Sequence, residues 1–232
     1  MQSIPTEAEW GIFERSGVFL LAATSIACLL SEFYGFCPMR LFTLAIFAPA
    51  LLILTIWSAL DFQKERHLAP AVLLGAVAGI LAAISYDLFR LPFVFSRAWG
   101  LDHVVPPLNL FRVFPAFGAM ILGQAYPQPA YSLSAQLLGW AYHFSNGLTF
   151  GIMYMALIRR PTTRNWPWAI VMAVGFEIGM LATPYTKAFG IPLTSTFVWV
   201  TLSAHLIFGV VLGLACQRMW PRFAALRRHV LS

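Results

Sequence analysis

The chain has 232 residues, of which 59% are hydrophobic and only 10% are charged, and its mean hydropathy is +0.75. A soluble domain of this length could not bury so much apolar surface, so the composition indicates a multi-pass membrane protein. The absence of period-two alternation excludes a transmembrane β-barrel and leaves an all-α membrane helix bundle. The net charge of +6 does not indicate nucleic-acid binding, because the basic residues lie in short loops and at the C-terminus. The partner that this composition implies is the lipid bilayer.

Six apolar stretches come close to the length of about 20 residues that a helix needs to cross a membrane. They are residues 17–36, 41–60, 70–90, 132–157, 167–186 and 194–217. We therefore predict about six transmembrane helices in a single membrane domain, residues 1–232. Residues 1–16 carry acidic side chains and predict a short interfacial helix rather than a cleavable signal.

The basic residues favour one side of the membrane. Lysine and arginine are concentrated at 61–69, at 159–165 and in the tail at 218–232. The positive-inside rule places these three segments in the cytoplasm. Both termini are therefore predicted to be cytoplasmic, and the membrane to be the inner membrane of a bacterium.

Residues 93–130 do not fit the pattern of a simple crossing. The run LNLFRVFPAFGAMILG at 108–123 is apolar but short, and Arg112 and Pro115 interrupt it. We expect a re-entrant or surface-lying helix on the non-cytoplasmic side. A seventh crossing is the alternative, and it would move the N-terminus to the opposite side of the membrane.

Two parts of the sequence resemble one another at a constant offset. The residues that match others of the same type 100 positions later are Gly75, Gly79, Leu81, Ala82, Phe89 and Pro92. The pattern His-x-x-x-Gly-x-x-x-Gly then follows in each half, beginning at His143 and at His205. These matches predict two parallel helix-pair repeats, residues 70–158 and 167–217, flanked by two spans within 17–60. Glycine at a spacing of four is also a common packing device in membrane helices, so this second explanation stays open.

Several polar side chains lie within predicted spans, where an ionisable group costs roughly 2.5–3.5 kcal/mol and usually faces the bundle interior with a partner. Glu177 lies near the centre of the fifth span and has no cation in its own helix, so it needs a proton or a partner from another helix. His143 and His205 are the nearest in depth. We expect the two imidazoles to face each other across the interior, with Glu177 within reach of at least one.

Three further residues extend this candidate set for ligand or proton binding. Asn146 lies close to one helical turn beyond His143 and shares its face. Asp87 and Tyr86 lie toward the outer end of the third span. Arg90 follows Asp87 by one turn, so the two charges can neutralise each other.

Glu177, His143 and His205 are compatible with more than one kind of chemistry. Two imidazoles and a carboxylate can hold a divalent metal ion, and two histidines on facing helices can ligate haem. The same residues can relay protons, because histidine titrates near neutral pH and a buried glutamate can do so as well. A membrane histidine can also serve only to hydrogen-bond one helix to another.

Three stretches carry a resemblance to known proteins. YDLFRLP at 86–92, GWAYHFSNGLTFGIMY at 139–154 and the glutamate-bearing span at 167–185 resemble a group of uncharacterised bacterial multi-pass inner-membrane proteins. The resemblance covers roughly residues 70–217, by the extent of the matching patterns. It implies a membrane helix bundle with the repeat, and it implies no activity, cofactor or substrate.

These observations favour a membrane-embedded binding or transport protein with an interior site for a proton-coupled solute or a metal ion. A membrane metalloenzyme or a haem-bearing electron-transfer subunit would use the same residues, so the question of enzymatic activity stays open. The third alternative is an accessory subunit of a larger membrane complex, in which the polar groups only fix helix packing. A homo-oligomer is compatible with each of these.

Cysteine-accessibility labelling tests the predicted topology. In a background that lacks the native cysteines, we expect the variants Gln63→Cys and Thr163→Cys to react only from the cytoplasmic side. The variant Gln128→Cys should react only from the other side, because the predicted span 70–90 separates position 128 from position 63. Labelling of all three positions from the same side would contradict the predicted orientation.

Overall fold

The computed structural model describes residues 11–63, 68–158 and 165–229, with the backbone alone for 224–229. These residues form nine α-helices, a π-helical turn and a 3-10 turn, and they contain no strand. The α-helices are α1 (Ile12–Phe33), α2 (Met39–Phe42), α3 (Ala48–Gln63), α4 (Leu68–Val94), α5 (Val113–Leu122), α6 (Leu133–Ile158), α7 (Pro167–Leu181), α8 (Tyr185–Ala188) and α9 (Ser195–His229). The π-helical turn Thr43–Phe47 joins α2 to α3, and the 3-10 turn Leu110–Arg112 leads into α5.

Long apolar helices dominate the fold. Four segments of the described chain are long and apolar enough to cross a membrane: Ile12–Phe33, Met39–Gln63, Leu68–Val94 and Ser195–Phe223. Large apolar side chains cover their outer faces; Leu20 is 66% exposed, Leu52 is 60% exposed and Trp199 is 71% exposed. An apolar surface of this extent requires contact with lipid or with another protein. The predicted all-α class is therefore confirmed for the described residues, and the four long apolar helices support the membrane class predicted from composition.

Two of the predicted crossings, at 132–157 and 167–186, are not among these four segments. Helix α6 is long enough, but its polar side chains lower its hydropathy. Helix α7 is apolar but ends at Leu181, earlier than predicted. The reason is Pro184, because the residue before a proline is pushed out of the helical conformation.

The last helix is longer than predicted. Helix α9 continues to His229, far beyond the predicted span 194–217 and into the segment 218–232 that was predicted as a basic tail. Pro221 lies within this helix and does not end it. The charge pattern therefore identified the basic segment but not its helical conformation.

Some predicted segments lie outside the described residues. They are most of the N-terminal segment 1–16 and the basic centres of the two predicted cytoplasmic links, at 64–67 and 159–164. Of the N-terminal segment, residues 12–16 belong to α1, which runs without interruption to Phe33.

The insertion at 93–130 contains a short helix, as predicted, but this helix does not lie on the surface. Seven of the ten residues of α5 are buried. Phe114 and Phe117 pack in one cluster with Cys28 of α1 and Met39 of α2. Helix α5 is therefore inserted into the bundle, which corrects the surface-lying alternative.

Glycines let three helices approach one another at backbone distance. A Cβ atom on Gly118 of α5 would lie 1.8 Å from the carbonyl oxygen of Ala135 in α6. A Cβ atom on Gly79 of α4 would lie 2.1 Å from the carbonyl oxygen of Gly147 in α6. Contacts this close leave no room for a side chain. Helix α6 is thus held against α5 near its N-terminal end and against α4 further along.

The glycine contacts differ between the two predicted repeats. Gly209 of α9 packs closely on Ile170 of α7, so the second helix of each pair contacts the first through glycine. A Cβ atom on Gly175 or Gly179 of α7, however, would meet nothing within 4 Å. Gly179, which matches Gly79 at the offset of 100 residues, therefore does not share its role in helix packing.

The variants Gly79→Ala and Gly179→Ala form a matched pair that tests this difference. We expect Gly79→Ala to lower the thermal unfolding midpoint of the purified protein, because the new methyl group overlaps the Gly147 carbonyl. Overpacking of this kind costs about 1–3 kcal/mol. Gly179→Ala meets open space and improves helix propensity, so its midpoint should stay constant or rise. Equal decreases of the unfolding midpoint in the two variants would show that packing constrains Gly79 no more than Gly179.

Candidate functional site

A cavity of about 140 Å³ lies between α1 and all the helices from α4 to α9. Apolar side chains form most of its wall. The polar or charged residues that line it are Tyr86, Arg90, His143, Asn146, Glu177, Tyr185 and His205. All the site residues predicted from the sequence are among them except Asp87, which contacts His143 and Arg90 directly.

Asp87 of α4 and His143 of α6 form a buried pair. Nε2 of His143 lies 2.8 Å from Oδ2 of Asp87. Because a carboxylate can only accept, Nε2 carries the proton of this hydrogen bond. The His143 ring also stacks on Phe114 of α5, with 4.1 Å between the ring centroids. This pair therefore connects three helices.

Arg90 is the cation that balances Asp87. Its Nη1 lies 3.5 Å from Oδ1 of Asp87, and its side chain is only 6% exposed. Its Nη2 donates a hydrogen bond of 2.7 Å to the carbonyl oxygen of Leu110. The guanidinium carbon lies 4.6 Å from the centre of the Tyr86 ring, within cation–π range. Arg90 therefore neutralises Asp87, as the spacing suggested, and also ties the turn before α5 to α4.

Glu177 of α7 and His205 of α9 form a second pair. Oε2 of Glu177 lies 3.4 Å from Nε2 of His205, the proximity that we expected for at least one histidine. Oε1 of Glu177 accepts a hydrogen bond of 2.7 Å from the hydroxyl group of Thr201. The other ring nitrogen of His205, Nδ1, lies 2.9 Å from the carbonyl oxygen of Thr201.

The bond to the Thr201 carbonyl determines how protons are shared between Glu177 and His205. A carbonyl oxygen can only accept, so Nδ1 of His205 carries a proton. The Nε2–Oε2 distance of 3.4 Å is that of an ion pair, and this contact is attractive when one further proton lies on Nε2 or on the carboxyl group. The pair has no net charge in either form, which is the favourable state inside a membrane.

The two histidines contact Tyr86 rather than one another. The Tyr86 ring centroid lies 4.9 Å from that of His205 and 6.0 Å from that of His143. Each imidazole directs Nε2 at its own carboxylate, so neither is turned toward a shared iron. The described part of the chain contains no group of three histidine, cysteine or acidic side chains that could hold a metal ion. A different carboxylate thus lies beside each histidine, so the described residues do not support the metal site predicted from His143, His205 and Glu177, which stays a prediction.

Two polar atoms at the cavity wall have no hydrogen-bond partner among the described residues. They are Oδ1 of Asn146 and Nη1 of Arg90, which has only the longer ionic contact to Asp87. Both atoms are fully buried, so neither is exposed to the cavity itself.

A second cavity, of about 300 Å³, adjoins the first. Tyr86, Arg90, Glu177 and Tyr185 line both cavities, and Arg112 lines only the second. The loops that border the second cavity include residues of the segment before α5 and of the segment between α8 and α9. The two carboxylate–histidine pairs therefore lie next to a junction between two interior spaces.

Sequence reasoning missed two parts of this site. Thr201 lies one helical turn before His205, and a polar residue at that spacing in an apolar helix is the signal that could have identified it. Arg90 was recognised only as a partner of Asp87. Its bond to Leu110 joins segments 20 residues apart and has no local signal.

No family model matches the sequence, and no curated protein or solved structure is significantly similar to it. The resemblance to bacterial inner-membrane proteins therefore stays a prediction. The fold and the site define a class, namely an all-helical membrane protein in which two carboxylate–histidine pairs lie beside an interior cavity.

The variants Asp87→Asn and Asp102→Asn test whether Asp87 neutralises the buried charge of Arg90. Asp87→Asn leaves the guanidinium without a counterion, and breaking a buried ion pair costs about 3–5 kcal/mol. We expect a clear loss of thermal stability in detergent. Asp102 lies exposed in a loop, so Asp102→Asn should unfold like the unmodified protein. Similar unfolding of the two variants would show that Asp87 does not hold this charge.

Proposed function

We propose that the protein binds or transports a small solute in exchange for protons at its interior cavity. The observation that supports this most strongly is the contact between Glu177 and His205. Nδ1 of His205 donates to the Thr201 carbonyl, the contact between Nε2 and Glu177 is attractive when the pair holds one further proton, and both members of the pair line the cavity. A proton-holding group that a solute can reach is the basic element of proton-coupled binding.

A bound solute and the shared proton compete for the same carboxyl oxygen. A solute that donates a hydrogen bond to Glu177 replaces the proton between the carboxyl group and His205. Binding then releases a proton, and by linkage the affinity for such a solute falls as the solution becomes more acidic. The pair therefore couples occupancy of the cavity to pH.

The Asp87–His143 pair supplies a different group to the same cavity. Arg90 neutralises Asp87, so His143 can remain a neutral imidazole with its proton on Nε2. Its Nδ1 is then an acceptor on a residue that lines the cavity. The two pairs thus present different groups to a solute. The Glu177–His205 pair holds a mobile proton, and the Asp87–His143 pair accepts a hydrogen bond.

We also propose that the bundle crosses the inner membrane of a bacterium six times, with both termini in the cytoplasm. The crossings are α1, the run from α2 to α3, α4, α6, α7 and α9. In each of the two helix pairs, α4–α6 and α7–α9, a carboxylate of the first helix contacts a histidine of the second. This shared arrangement supports two structurally related pairs, although the two carboxylates do not align at the offset of 100 residues.

Infrared difference spectra of the purified protein, recorded between acidic and alkaline buffers, test the shared proton. We expect a titrating carboxyl or imidazolium band that both Glu177→Gln and His205→Gln alter, because the proton belongs to the pair. Asp102→Asn is the control, since this carboxylate is exposed and has no part in the site. A titration that neither cavity variant changes would exclude a proton held by this pair.

A further inference from the structure

Glu177 is the carboxyl group that a solute in either cavity can contact. Its side chain is 9% exposed, that of its partner His205 is 22% exposed, and both residues line the first cavity. Glu177 also lines the second cavity, whereas Asp87 lines neither. A solute that enters the site therefore meets the carboxyl group that shares its proton with a histidine.

The second cavity leads from Glu177 to loops of the bundle. Asn109 and Pro127, two exposed loop residues, line this cavity together with Glu177. Exposed irregular backbone does not occur in the hydrocarbon of a membrane, so these loops lie on the water side. The route to Glu177 through this cavity thus favours a water-soluble solute over a lipid.

The buried charges of the site sum to zero only while the Glu177–His205 pair keeps its shared proton. Arg90 and Asp87 cancel each other, and the pair is neutral when it holds one further proton. A neutral solute that displaced this proton would leave one uncompensated negative charge in the interior, which is costly. A solute with one positive charge replaces the proton without changing the net charge.

The other titratable groups around the pair leave this balance unchanged. Those that line one or both cavities are Tyr86, Arg112, Tyr131, His143 and Tyr185. Tyrosine is uncharged near neutral pH. His143 donates to Asp87 as a neutral imidazole, and Arg112 is exposed, so water and salt screen its charge.

Aromatic rings form part of the wall around Glu177. Phe150 of α6 meets Phe176 of α7 at an interplanar angle of 84° and Phe208 of α9 at 77°, and all three rings line the first cavity. Rings at nearly right angles present their faces in different directions, and ring faces attract cations. A hard cation such as Ca²⁺ needs about six oxygen ligands, whereas most of this wall is apolar. The wall therefore favours an organic cation.

We infer that the solute is a free primary amine in its protonated form, an ammonium ion with an apolar substituent. This inference rests on the proposed function and names its substrate class. The ammonium group donates to Oε2 of Glu177, because Oε1 already accepts from Thr201, and the substituent packs against the aromatic rings. As the ammonium ion binds, the shared proton leaves the pair for the solvent. One positive charge enters and one leaves, and binding releases a proton as in the proposed function.

Isothermal titration calorimetry of the full chain in phosphatidylcholine nanodiscs, with benzylammonium as the ligand, tests the inference. At a pH where the infrared spectra show the pair to be protonated, we expect binding to release about one proton, measured by comparing buffers of different ionisation enthalpy. The affinity should fall roughly tenfold for each pH unit of further acidification. It should stay the same in nanodiscs that contain phosphatidylethanolamine. A lower affinity there would show that a lipid amine, and not a free amine, occupies the site.

Two ligands of similar shape separate the charge from the hydrogen bond. Benzyl alcohol donates a hydrogen bond but is uncharged, and benzyltrimethylammonium is charged but has no N–H group. Each should bind at least tenfold more weakly than benzylammonium, because each lacks one part of a charge-assisted hydrogen bond. Equal affinity for either ligand, or binding of benzylammonium without proton release, would overturn the inference.

Three variants test the residues. Glu177→Gln removes the charge and should weaken benzylammonium binding at least tenfold. Phe150→Leu keeps an apolar side chain but removes the ring, so it should weaken binding roughly fivefold. Phe62→Leu is the matched control, since Phe62 is exposed on α3 and lines neither cavity, and it should bind like the unmodified protein. Thermal unfolding shows whether each variant is folded, and unchanged binding in folded Glu177→Gln would contradict the inference.

The ligand class and the proposed function can fail separately. If benzylammonium does not bind although Glu177→Gln and His205→Gln alter the infrared titration, the ligand class is wrong and the shared proton stands. If neither variant alters that titration, the proposed exchange of solute for protons fails, and any binding of benzylammonium should then release no proton.

Discussion

Arg90 carries a charge that has to be balanced inside the bundle, and the centre of the molecule is arranged around that requirement. An uncompensated ion in a medium of low dielectric costs several kcal/mol. Asp87 supplies the opposite charge through one carboxylate oxygen, which leaves the other oxygen to hold His143. Nη2 of the guanidinium donates a hydrogen bond to the Leu110 carbonyl and fixes the entry to α5. The positions of α4, α5 and α6 around the cavity thus depend on one buried cation.

The close approach of the helices makes these short-range contacts possible. An aspartate side chain is short, so Asp87 can reach His143 only if α4 and α6 pack at backbone distance. Gly79 and Gly147 allow that approach, because any side chain at Gly79 would overlap a carbonyl group. In the other pair, the longer Glu177 reaches α9, which packs on α7 through Gly209. Glycine therefore closes both helix pairs, although a Cβ atom on Gly175 or Gly179 of α7 would meet nothing within 4 Å.

The sequence predicts the class and part of the site for reasons that are energetic rather than geometric. The cost of a lone carboxylate in a membrane was enough to predict a partner for Glu177, and His205 is that partner. The partner of His143 could not be predicted in the same way, because spans that are apolar on every face carry no periodicity that assigns their faces. The burial of α5 could not be predicted either, because a short apolar helix has the same sequence pattern in lipid, on a surface or in a core. The repeated histidine pattern indicated equivalent positions but suggested a shared metal, whereas the structure gives each histidine its own carboxylate.

Charge balance also determines what the site can accept. Arg90 and Asp87 cancel, and the Glu177–His205 pair is neutral in either of its proton arrangements, so the empty site has no net charge. An anionic ligand would add one uncompensated negative charge in a region of low dielectric, where even a single charge is strongly disfavoured. A ligand that replaces the shared proton keeps the site neutral if the ligand itself carries one positive charge. Exchange of such a ligand for a proton is thus a consequence of a neutral, buried site and needs no moving part beyond the side chains that hold the proton.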